Sequence, residues 1–302
     1  MVSKSKKNPF RTFFVKYFGI KISDIIFNTL NYLLFLVLFL LFLYPFYYVV
    51  KESLLVQYLT KEGNPATKIS LESYFIILNN NGLGESFLLS IGITLVYTVF
   101  AVLITMLSAY PLSRKEFKGR NAVLVFLVIS MLFSGGLIPY YLVITQLGLK
   151  NNPLVYILVG LVSPFNIIIA RNFIKGIPEE IFDSARVDGA SETRIVFQIV
   201  FPLSGPIVAT IALWVAVGKW NDWMTGVLYM QNRKDLWMVQ QFLRNILITS
   251  TAGEGVVDPD VMAMATSVKM AAIVISVLPI LLIYPFVQKY FVKGVLLGSV
   301  KG

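Results

Sequence analysis

Cysteine and histidine are both missing from this 302-residue chain. Without cysteine there are no disulfides and no thiolate metal sites. Without histidine, the commonest general base and metal ligand at neutral pH is gone. Acidic residues are scarce, 16 against 26 Lys and Arg, and charge of either sign makes up only 14% of the sequence. No GxxxxGK[ST] phosphate loop occurs, so ATP hydrolysis is not the work of this chain. Strand-like alternation is also absent, which argues against a membrane barrel.

What fills the sequence instead is apolar: 57% hydrophobic residues with a mean hydropathy of +0.75, where globular domains have ~45–50%. Apolar runs of about 20 residues have the length of membrane-crossing helices. The expectation is an all-α integral membrane protein, a single domain of six transmembrane helices. The runs extend over about 27–50, 86–112, 121–147, 153–173, 203–230 and 262–291. The third is interrupted at Ser134-Gly135-Gly136 and Pro139 and the fourth at Ser163-Pro164. Such breaks either expose backbone to a cavity or are packing kinks.

The net charge of +10 would suggest nucleic acid in a soluble protein. Here it marks the cytoplasmic flanks of membrane helices, and no nucleic-acid partner is implied. Residues 1–26 mix Lys4, Lys6, Lys7, Arg11, Lys16 and Lys21 with aromatics, as in a helix lying among lipid headgroups or a basic tail. The first span follows without a small-residue cleavage site and is read as a retained anchor. With both termini inside, inner segments hold about 17 Lys and Arg and outer segments about 9. That places loops 51–85 and 231–262 outside and the polar island 178–206 in the cytoplasm.

The island reads as two short helices joined at a glycine. Pro178 opens the first, with Glu179 and Glu180 in the first turn where carboxylates suit the helix dipole. Ile181, Phe182, Ala185 and Gly189 recur at helical spacing, Gly189 allows a sharp reversal, and Ser191 can cap a second helix containing Glu192. Ile195, Val196, Ile199 and Val200 carry its apolar side toward Pro202.

Deep in the fifth run, Lys219, Asn221 and Asp222 are polar residues of the kind that face a bundle interior or a water-filled path. Lys219 and Asp222, three apart, can also neutralise each other. Trp220 and Trp223 suit stacking on sugar rings or an interfacial aromatic belt. Asn166 is the further polar candidate, beside the break in the fourth run. The outer loop carries Trp237, Gln240, Gln241 and Arg244.

The island also resembles the EAA motif of ABC-importer permeases. Asp183, Ser184, Ala185, Gly189, Ile199, Phe201 and Pro202 fall in register with it, with Asp for Glu, Ser for Ala and Phe for Leu as departures. Asp188-Gly189-Ala190 is typical of the carbohydrate branch, and Trp220-Asn221-Asp222 is similar to its Trp-Asn-acidic triplet. The ending Val292-Lys293-Gly294 through Lys301-Gly302 resembles maltose-type second permease subunits. Phe133 to Leu149 looks like the LplC-type subgroup, associated with complex polysaccharide and uronate-containing oligosaccharides.

The resemblance implies a type I importer fold in a bacterial plasma membrane, both termini cytoplasmic, with a permease domain over 27–302. It makes 178–206 a coupling hairpin whose Glu180, Asp183, Ser184, Ala185, Arg186, Asp188, Gly189, Ala190 and Pro202 meet an ATPase subunit. Lys301 and Gly302 would reach between two ATPase subunits, which hold the ATP and Mg. The chain itself would bind no cofactor or metal and is not an enzyme. The implied partners are a second, different permease, an extracellular solute-binding lipoprotein and an oligosaccharide. An ion-gradient-driven secondary transporter is the competing class. It calls for membrane-embedded titratable groups, and Lys219 with Asp222 are nearly all there is.

Overall fold

In a computed structural model of the protein, residues 22–59, 65–80, 83–249, 266–283 and 285 are described. The basic segment 1–21, much of the loop 231–262 and the tail with Lys301 and Gly302 lie outside them.

Three described helices are long and apolar enough to cross a membrane: Asp24–Leu54, Leu83–Ser113 and Thr266–Ile283. The first belongs to helix α1, Ile22–Leu54, which therefore begins inside the segment assigned to the N-terminal region. Its apolar side chains are exposed almost throughout, a surface that only lipid or other helices can cover. Only at its end does α1 join the bundle, where Ser53 Oγ meets the Tyr74 hydroxyl at 2.6 Å.

The polar loop expected over 51–85 contains regular structure. Strands β1 (Leu55–Leu59) and β2 (Pro65–Ile69) pair antiparallel, from Leu55 opposite Ile69 to Leu59 opposite Pro65. The fold is thus not purely helical: the β-favouring Leu-Val-Gln-Tyr-Leu run finds a partner across the turn. Helix α2, Glu72–Asn80, follows.

Helix α3, Leu83–Ser113, is the spine of the described bundle. The third run is broken: α4 (Arg120–Leu132) and α5 (Leu137–Gln146) meet at 115°. Gly136 takes φ 85°, and its N–H binds Ser134 Oγ at 3.2 Å. The fourth run is also divided, into α6 (Leu154–Leu158) and α7 (Pro164–Ile174), with Ser163 capping α7 and Pro164 in its first turn. The break expected at Ser163-Pro164 is present, because Gly160 at φ 75° and the Ser-Pro start stop helical continuation.

The island forms α8 (Glu179–Val187) and α9 (Glu192–Leu203). Helix α9 includes a π turn over Val196–Val200, just ahead of Pro202 with its missing N–H. It meets α10, Gly205–Trp220, at 82°. Counting each bent pair as one span gives five crossings among the described residues. The fifth expected run ends early, at Trp220, and resumes as the short α11, Met224–Tyr229. Helix α12, Val239–Thr249, lies in the polar loop expected over 231–262, and α13 is Thr266–Ile283.

Three apolar clusters hold these elements. One joins the end of α3, α7, the island and the start of α10 through Met106, Ile174, Phe182, Ile195 and Ile211, all fully buried. A second gathers Ile144, Tyr156, Tyr229 and Met238, and a third Ile77, Leu83, Trp220, Val239 and Ala272. Gly226 leaves room for Gln241 and Tyr156 beside the second. A Cβ at that position would overlap Gln241 Oε1 and approach the Tyr156 hydroxyl to 3.1 Å. Gly226→Ala is therefore expected to cost about 1–3 kcal/mol through overpacking, read as a lowered unfolding temperature of the purified protein in detergent. An unchanged melting profile would disprove the close packing.

Candidate functional site

Two features stand out, a charged hairpin at one end of α3 and a cavity beside its middle. The hairpin's turn follows from local chemistry. Helix α8 ends in a Schellman arrangement: Gly189 N–H donates to Arg186 O and Ala190 N–H to Ala185 O, with Gly189 at φ 76°. Ser191 then caps α9, its Oγ accepting from Arg194 N–H at 3.3 Å.

Two residues from the end of α3 fasten the hairpin. Arg114, only 6% exposed, lies 3.8 Å above the Phe182 ring and pairs with Glu179 Oε1 at 2.7 Å. The Tyr110 hydroxyl donates to Glu192 Oε2, and Arg186 Nε donates to the other oxygen of that carboxylate at 3.3 Å. Phe182 is fully buried, worth about 1.5–3 kcal/mol. A desolvated cation over its ring adds up to roughly 2 kcal/mol. Arg171 completes the joint, its Nε donating to Leu112 O at 3.0 Å at the end of α3.

This sorts the hairpin residues singled out from sequence. Ala185 and Ala190 pack against the hairpin's own core. Arg186 is drawn inward between Glu192 and Asp183, the latter at 3.4 Å. Ser184 Oγ returns to Glu180 O at 2.7 Å, so its hydroxyl is spent on its own helix. Glu180, Asp183, Asp188, Gly189 and Pro202 stay exposed, and Val187 stands out at 88%. The outward face is thus acidic around one apolar knob. Arg114 and Tyr110 were missed from sequence. Only the long-range packing sets them on the hairpin.

The cavity measures about 800 Å³ and is lined by the loop before α7, by Phe165 and Asn166, by one side of α10 and by the turn after it. It brings together Asn166, Lys219, Asn221, Asp222 and Trp223, five of the six pathway residues expected from sequence. Lys219 is buried, its Nζ 2.9 Å from Asp222 Oδ2 and 4.2 Å above the Tyr97 ring. Asp222 Oδ1 accepts from Thr225 N–H at 3.0 Å. The two charges do neutralise each other, and they do so on the cavity wall.

Trp220 is the exception. One residue along a helix turns the side chain by about 100°, which carries it away from the cavity. There it packs edge-on against Phe87 at 5.5 Å and donates its indole N–H to Ser276 O at 2.9 Å. Tyr97, Phe165 and Trp214 take its place as lining aromatics. They were missed because nothing in an apolar run marks the one face that turns inward. Outside the bundle, Arg233 folds onto Asp235 at 2.8 Å and holds that carboxyl below its ordinary range.

Residues 101–297 match the family described as binding-protein-dependent transport system inner membrane component. The chain belongs to this family. It is a permease component of an ABC importer, a translocation subunit without catalytic chemistry of its own. The polygalacturonan/rhamnogalacturonan transport system permease protein YtcP of Bacillus subtilis is 42% identical over 241 residues, covering 78% of this chain and 83% of its own length. Protein LplC of the same organism is 40% identical over 264 residues, covering 85% and 89%. Among solved structures, a chain of a bacterial ABC transporter involved in the import of the acidic polysaccharide alginate superposes with a TM-score of 0.78. It is 27% identical, over 90% of this chain and 99% of that one.

Removing one partner of a buried ion pair strands the other. Lys219→Met is expected to destabilise the protein by about 3 kcal/mol, and Asp222→Asn in the same chain to restore part of the loss. Thermal unfolding of the single and double variants measures the coupling, and additive losses would show that the pair does not interact.

Proposed function

We propose that this permease carries an oligosaccharide through the 800 Å³ cavity and is driven through the hairpin at 178–206. The observation that carries the proposal is the joint between them. Helix α3 presents Tyr97 to the cavity and, 13 residues on, Tyr110 to the hairpin. At ~1.5 Å per residue this is about 20 Å of continuous helix, so movement of the hairpin is passed to the cavity wall.

In this scheme the chain crosses the membrane six times with both termini in the cytoplasm. It pairs with a second, different permease and two ATPase subunits that bind ATP and Mg. The exposed face of Glu180, Asp183, Val187 and Asp188 sits in the ATPase cleft, while Arg186 and Glu192 keep the hairpin rigid. An extracellular solute-binding protein docks on the outer elements, the β1–β2 hairpin and α12 among them. ATP-driven closure of the ATPase pair turns the cavity outward, the sugar enters, and hydrolysis resets it. Tyr97, Phe165, Trp214 and Trp223 offer ring faces for stacking, and Asn166, Asn221 and the Lys219–Asp222 pair offer hydrogen bonds to hydroxyls. The polygalacturonan and alginate systems of the relatives are saccharide importers, which supports the substrate class.

Proteoliposomes holding the assembled transporter test the drive. Uptake of a saccharide is expected to require internal ATP and binding protein, and uptake on a proton or sodium gradient alone would sink the proposal. Gly189→Val adds a β-branched side chain at φ 76° on the exposed turn. It should leave the subunit in the membrane and lower substrate-stimulated ATP hydrolysis at least tenfold, whereas wild-type stimulation would remove the hairpin from the coupling path.

A further inference from the structure

Helix α2 is apolar on two sides, and the fold uses only one of them. On the inner side Ile77 is fully buried with Leu83, Trp220 and Val239, and Tyr74 packs against the same cluster. The other side carries Leu71, Phe75 and Leu78 at i, i+4 and i+7, one stripe of a helix, with Ile69 just ahead of it. All four are exposed, Phe75 at 63% and Ile69 at 80%. Large apolar side chains grouped in this way mark a contact with something other than water. A hollow of about 390 Å³ lies on this side, lined by Ser70, Leu71, Glu72, Phe75, Ile76 and Asn79. It mixes apolar with polar groups, as a site for an amphiphile does.

The position of α2 says what the contact is with. Its start is hooked to the last turn of α1: Ser70 N–H donates to Leu54 O at 2.9 Å, and the Tyr74 hydroxyl meets Ser53 Oγ at 2.6 Å. Its end is followed almost at once by α3, which begins at Leu83. Both neighbours have the length and hydropathy of membrane spans, so α2 sits at the level where two spans leave the bilayer. Helix α1 marks that level itself. Tyr44, Tyr47 and Tyr48 are exposed near its end, the kind of residue that settles among headgroups, and Tyr48 is only about 8 Å of helix rise from Ser53. The pairing of Leu55 with Ile69 sets the stripe beside that end, so it begins where the lipid-facing surface of α1 stops. At its edge Lys68 and Glu72 pair at 2.9 Å, and their charges cancel rather than draw a charged protein surface.

We infer that residues 69–79 form a membrane-surface foot. Ile69, Leu71, Phe75 and Leu78 rest in phospholipid at the boundary between headgroups and acyl chains, and Ser70, Glu72 and Asn79 meet the headgroups. The inference is independent of which way the chain runs through the membrane and of what the cavity carries. Its consequence for the fold is local. The inner face of the foot packs in one cluster with Trp220, at the end of α10, so the bilayer surface supports the helix end that borders the cavity.

The absence of cysteine makes Phe75→Cys and Leu71→Cys unique labelling sites in this chain. Each is given a nitroxide and measured in the whole transporter, built with cysteine-free partner subunits, in phosphatidylglycerol/phosphatidylethanolamine nanodiscs without binding protein. Relaxation by oxygen, which concentrates in lipid, is compared with relaxation by a water-soluble nickel chelate. Phe35→Cys on the exposed middle of α1 and Asn232→Cys on the exposed turn after α11 give the lipid and water limits. At both α2 sites oxygen is expected to outweigh the chelate, by a ratio between the two limits and well above that of Asn232→Cys. Two results would overturn the inference: chelate access equal to that of Asn232→Cys, which leaves the face in water, or protection from both reagents, which puts a protein such as the second permease over it. A second measurement needs no label. The double variant Leu71→Ser/Phe75→Ser should assemble as wild type does and lose part of the gain in melting temperature that wild type shows on transfer from detergent to nanodiscs. An undiminished gain, or failure to assemble with the second permease, would equally reject the foot.

Discussion

The buried guanidinium of Arg114 is the contact on which the arrangement turns. A hairpin that shows acidic side chains to water must still be held firmly to an apolar bundle, and apolar burial alone fixes no orientation. Arg114 joins the two demands. Its flat face covers Phe182, its edge reaches Glu179, and its backbone directly follows the helix that lines the cavity. Tyr110 grips the second arm through Glu192 one turn earlier. The hairpin is therefore clamped at both arms to one rod, and it has little freedom to move without that rod.

At the other end of the same rod the cavity depends on broken helices. Gly160 and Ser163, between α6 and α7, line it where an unbroken helix would present a closed cylinder. The end of α10 at Trp220 has the same effect, since the turn at 221–223 brings Asn221, Asp222 and Trp223 round to one side. The polar wall this creates would be unstable if its charges were single. Pairing Lys219 with Asp222, and resting the ammonium on Tyr97, leaves a wall that is polar without an orphaned charge.

Much of the hairpin was legible in the sequence. Pro178, Gly189 and Ser191 act within a few residues of themselves, through a fixed φ, a permitted positive φ and a side-chain cap, so their meaning survives without the rest of the chain. The loop 51–85 was misread for the opposite reason. A short strand such as Leu55–Leu59 forms only when a partner comes alongside, and its five residues carry no alternation that announces it. The pathway residues fall between these cases. Lys219 and Asp222 were visible as polar groups in an apolar run, yet Trp220 beside them turned away to Phe87 and Ser276, while Tyr97 and Trp214 turned in.

The sequence by itself determined that this is a membrane-embedded helical protein, and it placed and shaped the hairpin. Hydrophobic runs and caps are local properties that each segment carries wherever it goes. The tertiary structure decided which faces look inward and which charges meet. Arg114 finds Phe182 across 68 positions, Tyr97 lies under Lys219 across 122, and Arg244 reaches Trp223 across 21. Contacts of that separation depend on how helices rotate and break against one another, and the bends at Gly136, Gly160 and Ser204 set those rotations.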